Sequence, residues 1–132
     1  MRNIALMVAA AAAVLSGPVL QAREVPKGEE QLARVLKDRV AGEPVSCINL
    51  SSARSSRIID KTAIVYDAGS VIYVNRPRNP GSLDSSDVMV IRPTNNQLCS
   101  VDTVHLRDSS NWFYTGFVGL DKFVPYRRVA RN

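Results

Sequence analysis

Between Cys47 and Cys99 short apolar runs alternate with polar, turn-forming ones, at a spacing that predicts strands. Thr62–Tyr66 (TAIVY) and Val71–Asn75 (VIYVN) are rich in β-branched and aromatic residues. Asp-Ala-Gly-Ser separates them, a hairpin connection in which Gly69 can take the positive φ required. Both alternate sets of each strand are largely apolar: Ile64 and Tyr66 against Ala63 and Val65, then Val71 and Tyr73 against Ile72 and Val74. A strand of that kind lies inside a sheet covered above and below. Ile64, Val65, Val71, Ile72 and Val74 are therefore expected to be buried.

The flanking pattern supplies further short strands. Val45–Leu50 reads as a first strand, Ser51–Arg57 (SSARSSR) as a connection, and Ile58-Ile59 as the start of the next extended segment. Arg76–Ser86 (RPRNPGSLDSS) is irregular, because two prolines and a glycine exclude it from a helix or sheet interior. Asp87–Arg92 predicts a strand, Pro93–Gln97 a turn around Asn95-Asn96, and Leu98–Leu106 a long strand. A turn over Asp108–Asn111 leads to Trp112-Phe113-Tyr114 as the last strand. The end, GFVGLDKFVPY, reads as an irregular cap that closes the core with Phe117, Val118, Leu120 and Phe123. Short strands and frequent turns predict a mainly β domain, a small antiparallel sheet or partly open barrel.

One helix precedes the strands. Leu32, Val35, Leu36 and Val40 recur three and four residues apart over Glu29–Val40, and Gly42 and Pro44 follow as a stop. Before it, Ile4–Leu15 is an unbroken apolar run behind Met1-Arg2-Asn3, broken by Ser16-Gly17-Pro18 and ending near Ala22. The run is shorter than the ~20 residues that span a bilayer, so residues 1–22 read as a cleaved export signal. No membrane span is expected after cleavage. The remainder divides into a polar entry and amphipathic helix (23–43), a β-rich domain (44–128) and a basic tail (129–132).

Export changes the meaning of the two cysteines. In an exported chain Cys47 and Cys99 are expected to form one disulfide, and they lack the Cys-x-x-Cys spacing of a redox pair. The bond closes the β-rich domain. Charge adds less: 17 Lys and Arg against 12 Asp and Glu give +5, and loss of Arg2 with the signal leaves +4. The one cluster is Tyr126–Arg131. No basic face with interleaved aromatics is apparent, so nucleic acid is not an expected partner.

Candidate chemistry is sparse. His105 is the only histidine, and on a continuous strand Asp102 would point to the opposite face, which disfavours a Ser–His–Asp constellation. The serines of Ser51–Arg57 lack a Gly-x-Ser-x-Gly elbow. Asp84, Ser86 and Asp87 could offer oxygens to Ca²⁺, but without the twelve-residue loop spacing they read as turn residues. No catalytic residue, metal site or cofactor is expected. Arg76 and Arg78, on a proline-stiffened loop, are the one pointed candidate, because paired guanidinium groups favour planar oxyanions.

Cys47-Ile48, the strand ending in Asn75, Leu98-Cys99 with Asp102, and Gly119-Leu120-x-x-Phe123 together carry a resemblance. Over Pro44–Arg128 the chain resembles small exported two-cysteine proteins of Gram-negative bacteria that are grouped as a domain of unknown function. Members often carry a second cysteine pair, which this chain lacks. The resemblance implies an exported β-rich domain and brings no catalytic residues. The expected function is a non-enzymatic binding or structural module, periplasmic or secreted, that engages an envelope protein or an anionic envelope component. The alternatives are an inhibitor of a cell-envelope lytic enzyme and a small hydrolase.

Overall fold

A computed structural model describes residues 17–18 and 24–130, so the expected export signal falls almost wholly outside it. The elements are α1 (Lys27–Val35), β1 (Arg39–Ala41), β2 (Cys47–Asn49), β3 (Ser55–Ile59), β4 (Ala63–Asp67) and β5 (Val71–Asn75), followed by β6 (Asp87–Val90), β7 (Gln97–Cys99), β8 (Thr103–Asp108), β9 (Tyr114–Gly119) and β10 (Phe123–Arg128). The described residues are mainly β, with one α-helix, α1, ahead of the strands. Its strands form three antiparallel sheets, in the orders β1-β10-β5-β4-β3, β2-β7 and β6-β8-β9.

The β4–β5 hairpin organises the largest sheet, with Val65 opposite Val74 and Tyr66 opposite Tyr73. Gly69 takes φ +83° in its turn. Both faces of the hairpin are covered, as its apolar pattern demands. On one face Ile58, Ile64, Tyr66 and Phe123 pack against Ile48, Leu98, Leu106 and Val118 of the two smaller sheets. On the other, Ile59, Ala63, Val65, Ile72 and Val74 pack against Leu32 of α1. Of the five hairpin residues expected inside, Val71 is only half-buried, because it begins β5 at the end of the sheet.

The helix is shorter than its periodicity predicts. It ends at Val35, and Asp38 takes φ 62°, a left-handed conformation that breaks helical hydrogen bonding. Arg39–Ala41 then pairs with Tyr126–Arg128 at the sheet edge, so Val40 belongs to a strand and lies exposed. The guanidinium of Arg39 fixes that turn by donating to the carbonyls of Gly69, Ser70 and Tyr126. Gly28 sets how closely α1 approaches, since a Cβ there would overlap Thr62 Oγ1.

Four other segments depart from the pattern. Ser55–Arg57 is strand β3 rather than connection, paired with Val65–Asp67. The expected long strand Leu98–Leu106 breaks into β7 and β8, because Asp102 Oδ2 accepts the Cys99 N–H at 2.7 Å and turns the chain. The supposed cap holds most of β9 and the start of β10, with Phe123 paired to Asn75. The expected basic cluster begins within β10, whose last residue is Arg128.

Arg76–Ser86 is irregular, as expected, yet it straps the sheets together. Leu83 is fully buried in the core. The Asn79 amide donates to Phe117 O at 2.8 Å and accepts from Gly119 N at 2.8 Å, so it covers part of the β9 edge. Lys61 reaches the Gly81 carbonyl, and Arg78 N–H donates to Gly119 O. Asn75, also fully buried, meets both backbone groups of Asp121 with its side-chain amide.

Candidate binding surface

The three-stranded sheet turns one face to the core and the other to solvent. Val104, Leu106 and Val118 point inward, while Thr103 and His105 on β8 alternate outward. On β9 a bulge resets this alternation. Leu106 faces Gly116 and Arg107 faces Tyr114, which leaves Thr115 as the extra residue and puts Gly116 at φ +148°. Without it, Tyr114 and Phe117, three residues apart, would lie on opposite faces. With it, Phe117 sits opposite His105 and Tyr114 opposite Arg107 on the solvent side. The rings of His105 and Tyr114 are 6.0 Å apart at 47°.

The tip of the β8–β9 hairpin adds two more aromatics. Trp112, Phe113, Tyr114 and Phe117 are 56, 72, 54 and 52 % exposed. They are half of the chain's aromatic residues (one Trp, four Tyr, three Phe). The others serve the interior, as with Tyr66, which packs edge-on to Phe123 and whose phenol burial pushes up from its ordinary pKa. Scattered exposed apolar residues such as Val101 are ordinary, whereas four exposed aromatics within six residues of one hairpin are not.

The tip is held firmly. Asp108 Oδ1 accepts from the Ser110 hydroxyl and from the Ser110 and Asn111 N–H groups. These bonds, led by that hydroxyl, hold the Asp108 carboxyl below its ordinary pKa. Arg107 donates to the Trp112 carbonyl at 3.0 Å, and Asn111 Oδ1 accepts the Phe113 N–H at 2.9 Å. Trp112 itself is at φ 64°, uncommon for a bulky residue. A fixed tip binds at lower entropic cost than a loose one.

Beside this face lies a recess of about 170 Å³, lined by Arg92, Asp102, Thr103 and His105 over Leu98. The broken strand brings Asp102 and His105 to one recess, although a continuous strand would have set them on opposite faces. The carboxylate is occupied by the Cys99 N–H, and no serine or cysteine lines the recess.

The other candidates are dispersed. Arg76 grips Glu29 in a two-pronged pair at 2.6 and 3.0 Å, joining the end of β5 to α1. Arg78 lies apart from that pair and donates to the Ser100 carbonyl at 3.4 Å. Asp84 Oδ1 accepts from the Ser86 hydroxyl and N–H, which hold its carboxyl below the ordinary range, the hydroxyl foremost. Asp87 accepts from the Thr115 hydroxyl at 2.8 Å, which ties β6 to β9. Among the described residues no group of three His, Cys, Asp or Glu side chains is placed to hold a metal ion.

The Glu29–Arg76 pair carries a pH prediction. Arg76 holds the Glu29 carboxyl below its ordinary value, chiefly by hydrogen bonding. A depressed carboxylate stabilises the fold above the ordinary value of 4.5, and that contribution is lost as pH falls through the folded-state pKa. Both side chains are more than a third exposed, so screening limits the pair to about 0.5 kcal/mol. Glu29→Gln should therefore lose that much stability at pH 7, and the gap should close towards pH 3. A gap of constant size in urea titrations across this range would show that the pair is not its source.

Disulfide Cys47–Cys99 joins directly opposed residues of β2 and β7, a bond that forms and persists in oxidising compartments. No helix among the described residues is long and apolar enough to cross a membrane. Compared with known proteins, the sequence matches no family model, no curated protein and no solved structure. Fold and surface define a class: a small disulfide-closed antiparallel β domain with a solvent-facing aromatic sheet.

Proposed function

We propose that this chain is a non-enzymatic binding module of the bacterial envelope, periplasmic or secreted, and that it engages a partner protein through the outer face of β6-β8-β9. The observation that carries this reading is the exposure of Trp112, Phe113, Tyr114 and Phe117 on one rigid hairpin. Aromatic residues in such positions supply much of the energy of protein interfaces. The disulfide supports an exported setting. A projecting, rigid tip also suits the inhibitor reading, in which Trp112 and Phe113 would enter the cleft of a lytic enzyme.

Site-specific photocrosslinking in intact cells tests the surface. A crosslinking residue at position 113 should yield one discrete adduct, and Trp112→Ala should abolish it. That substitution should shift stability by under about 0.5 kcal/mol, since Trp112 is more than half exposed and lies outside the core. The same crosslinker at exposed Ser51, away from the hairpin, should yield none. Absence of an adduct at position 113, or equal adducts at both positions, defeats the proposal. Mass analysis of the adduct distinguishes a lytic enzyme from another envelope protein.

A further inference from the structure

We infer that the groove between α1 and the five-stranded sheet is a second binding site, built for an acidic oligosaccharide. It lies on the side of the molecule opposite the aromatic face. Alternate residues of β4 separate the two sides: Ile64 and Tyr66 point to the core shared with the smaller sheets, and Ala63 and Val65 point to α1.

The helix covers this second face incompletely. Leu32 packs on it, with Val35 and Leu36 at the margin, and beyond them lies an open groove of about 1380 Å³. Lys27, Glu30 and Arg34, on one flank of α1 and its immediate continuation, form a wall. The floor crosses every strand: Arg57 on β3, Asp67 on β4, Ile72 on β5, Arg128 on β10 and Arg39 on β1. Arg57 and Arg128 lie three strand spacings of about 4.8 Å apart and about four residues out of register, roughly 20 Å in all. A ligand that meets both is extended, about the length of four sugar rings.

Charge defines its chemistry. Six cations line the groove: Lys27, Arg34, Lys37, Arg39, Arg57 and Arg128. The one ion pair among the described residues, Glu29–Arg76, is elsewhere, so none of the six is paired with a described carboxylate. Arg39 is committed to three carbonyls; the other five can meet anions. Set among them are three carboxylates, Glu30, Asp38 and Asp67. These would repel a densely charged polymer, but they accept hydrogen bonds from hydroxyl groups. Val35, Ile72 and Val129 offer apolar surface to the C–H faces of sugar rings. Oxyanions, hydroxyls and apolar ring faces occur together in an oligosaccharide that carries acid groups at intervals. The acid can be a carboxylate, as in a uronate, or a phosphate ester.

Calorimetry and amide chemical-shift mapping with four probes decide the matter. A hexasaccharide with a uronate at every second ring and a hexasaccharide with phosphate esters at the same spacing distinguish the two acids, and a neutral hexasaccharide and hexaglutamate serve as controls. At least one acidic saccharide should bind saturably, shift amides around Arg34 and Arg57, and weaken as salt is raised. Arg57→Glu with Lys37→Glu should weaken it about tenfold or more. Neither side chain forms a hydrogen bond among the described residues, and the milder Arg57→Gln with Lys37→Gln serves if charge reversal disturbs folding. Equal affinity for the neutral saccharide or for hexaglutamate overturns the inference, as does unchanged affinity in the double variant or failure of both acidic saccharides to bind. Trp112→Ala should leave this binding intact; that keeps its outcome separate from the fate of the aromatic surface.

Discussion

Replacing both Cys47 and Cys99 by alanine should lower the free energy of unfolding by about 4 kcal/mol, through loss of a cross-link closing a loop of this length. The cysteines are 52 positions apart, and β3, β4, β5 and β6 lie between them. Cutting the bond frees the unfolded chain to explore conformations that the closed loop forbids. The native state loses a local clamp too. β2-β7 is a sheet of only three residue pairs, and Ile48 and Leu98, next to the disulfide, are buried in the main core. For a small domain with a margin of roughly 5–15 kcal/mol, the change is large. Urea unfolding of the double variant beside the oxidised protein measures it. Midpoints that coincide would mean that the core alone holds β2 and β7 in place.

Phe123→Ala is the other large effect, with an expected cost of about 3–5 kcal/mol. Phe123 is fully buried, and its ring meets Tyr66 edge-on at 5.9 Å. Its backbone exchanges two 2.8 Å hydrogen bonds with Val45, which joins the largest sheet to the segment entering β2. Truncation leaves a cavity in the core that the five-stranded sheet shares with the two smaller ones. Arg78→Ala, which removes a lone surface contact at 3.4 Å, should cost under about 0.5 kcal/mol. Midpoints from parallel urea titrations compare the two. If the arginine change proves the more damaging, the Arg76–Ser86 strap outweighs the packing around Phe123.

The hairpin over Thr62–Asn75 was legible because its information is local: β-branched runs, a four-residue turn and a glycine that takes φ +83°. The cysteine pairing was equally legible, since two cysteines leave one intramolecular choice. β1 was not. Val40 continues the helical spacing of Leu32 and Leu36, and nothing nearby reveals that Arg39–Ala41 pairs with Tyr126–Arg128. A three-residue edge strand takes its identity from a partner far along the chain.

The binding surface shows the same limit. Trp112, Phe113, Tyr114 and Phe117 are plain in the sequence, yet they read as a final strand and a core-closing cap. Apolar character alone does not tell an inward ring from an outward one. The bulge at Thr115 decides the matter by bringing Tyr114 to the face that carries Phe117. The groove was hidden for another reason. Its cations come from α1, the turn after it and three strands, each looking like a solvated surface charge on its own.

The sequence by itself determined the mainly β class, the central hairpin and the covalent closure. All of these follow from side-chain chemistry and near-neighbour spacing. Only the tertiary structure decided which apolar residues were left over, which edges paired and which charges met. Those depend on strand register and on layers packed from distant segments, where a shift of one residue exchanges the buried face for the exposed one.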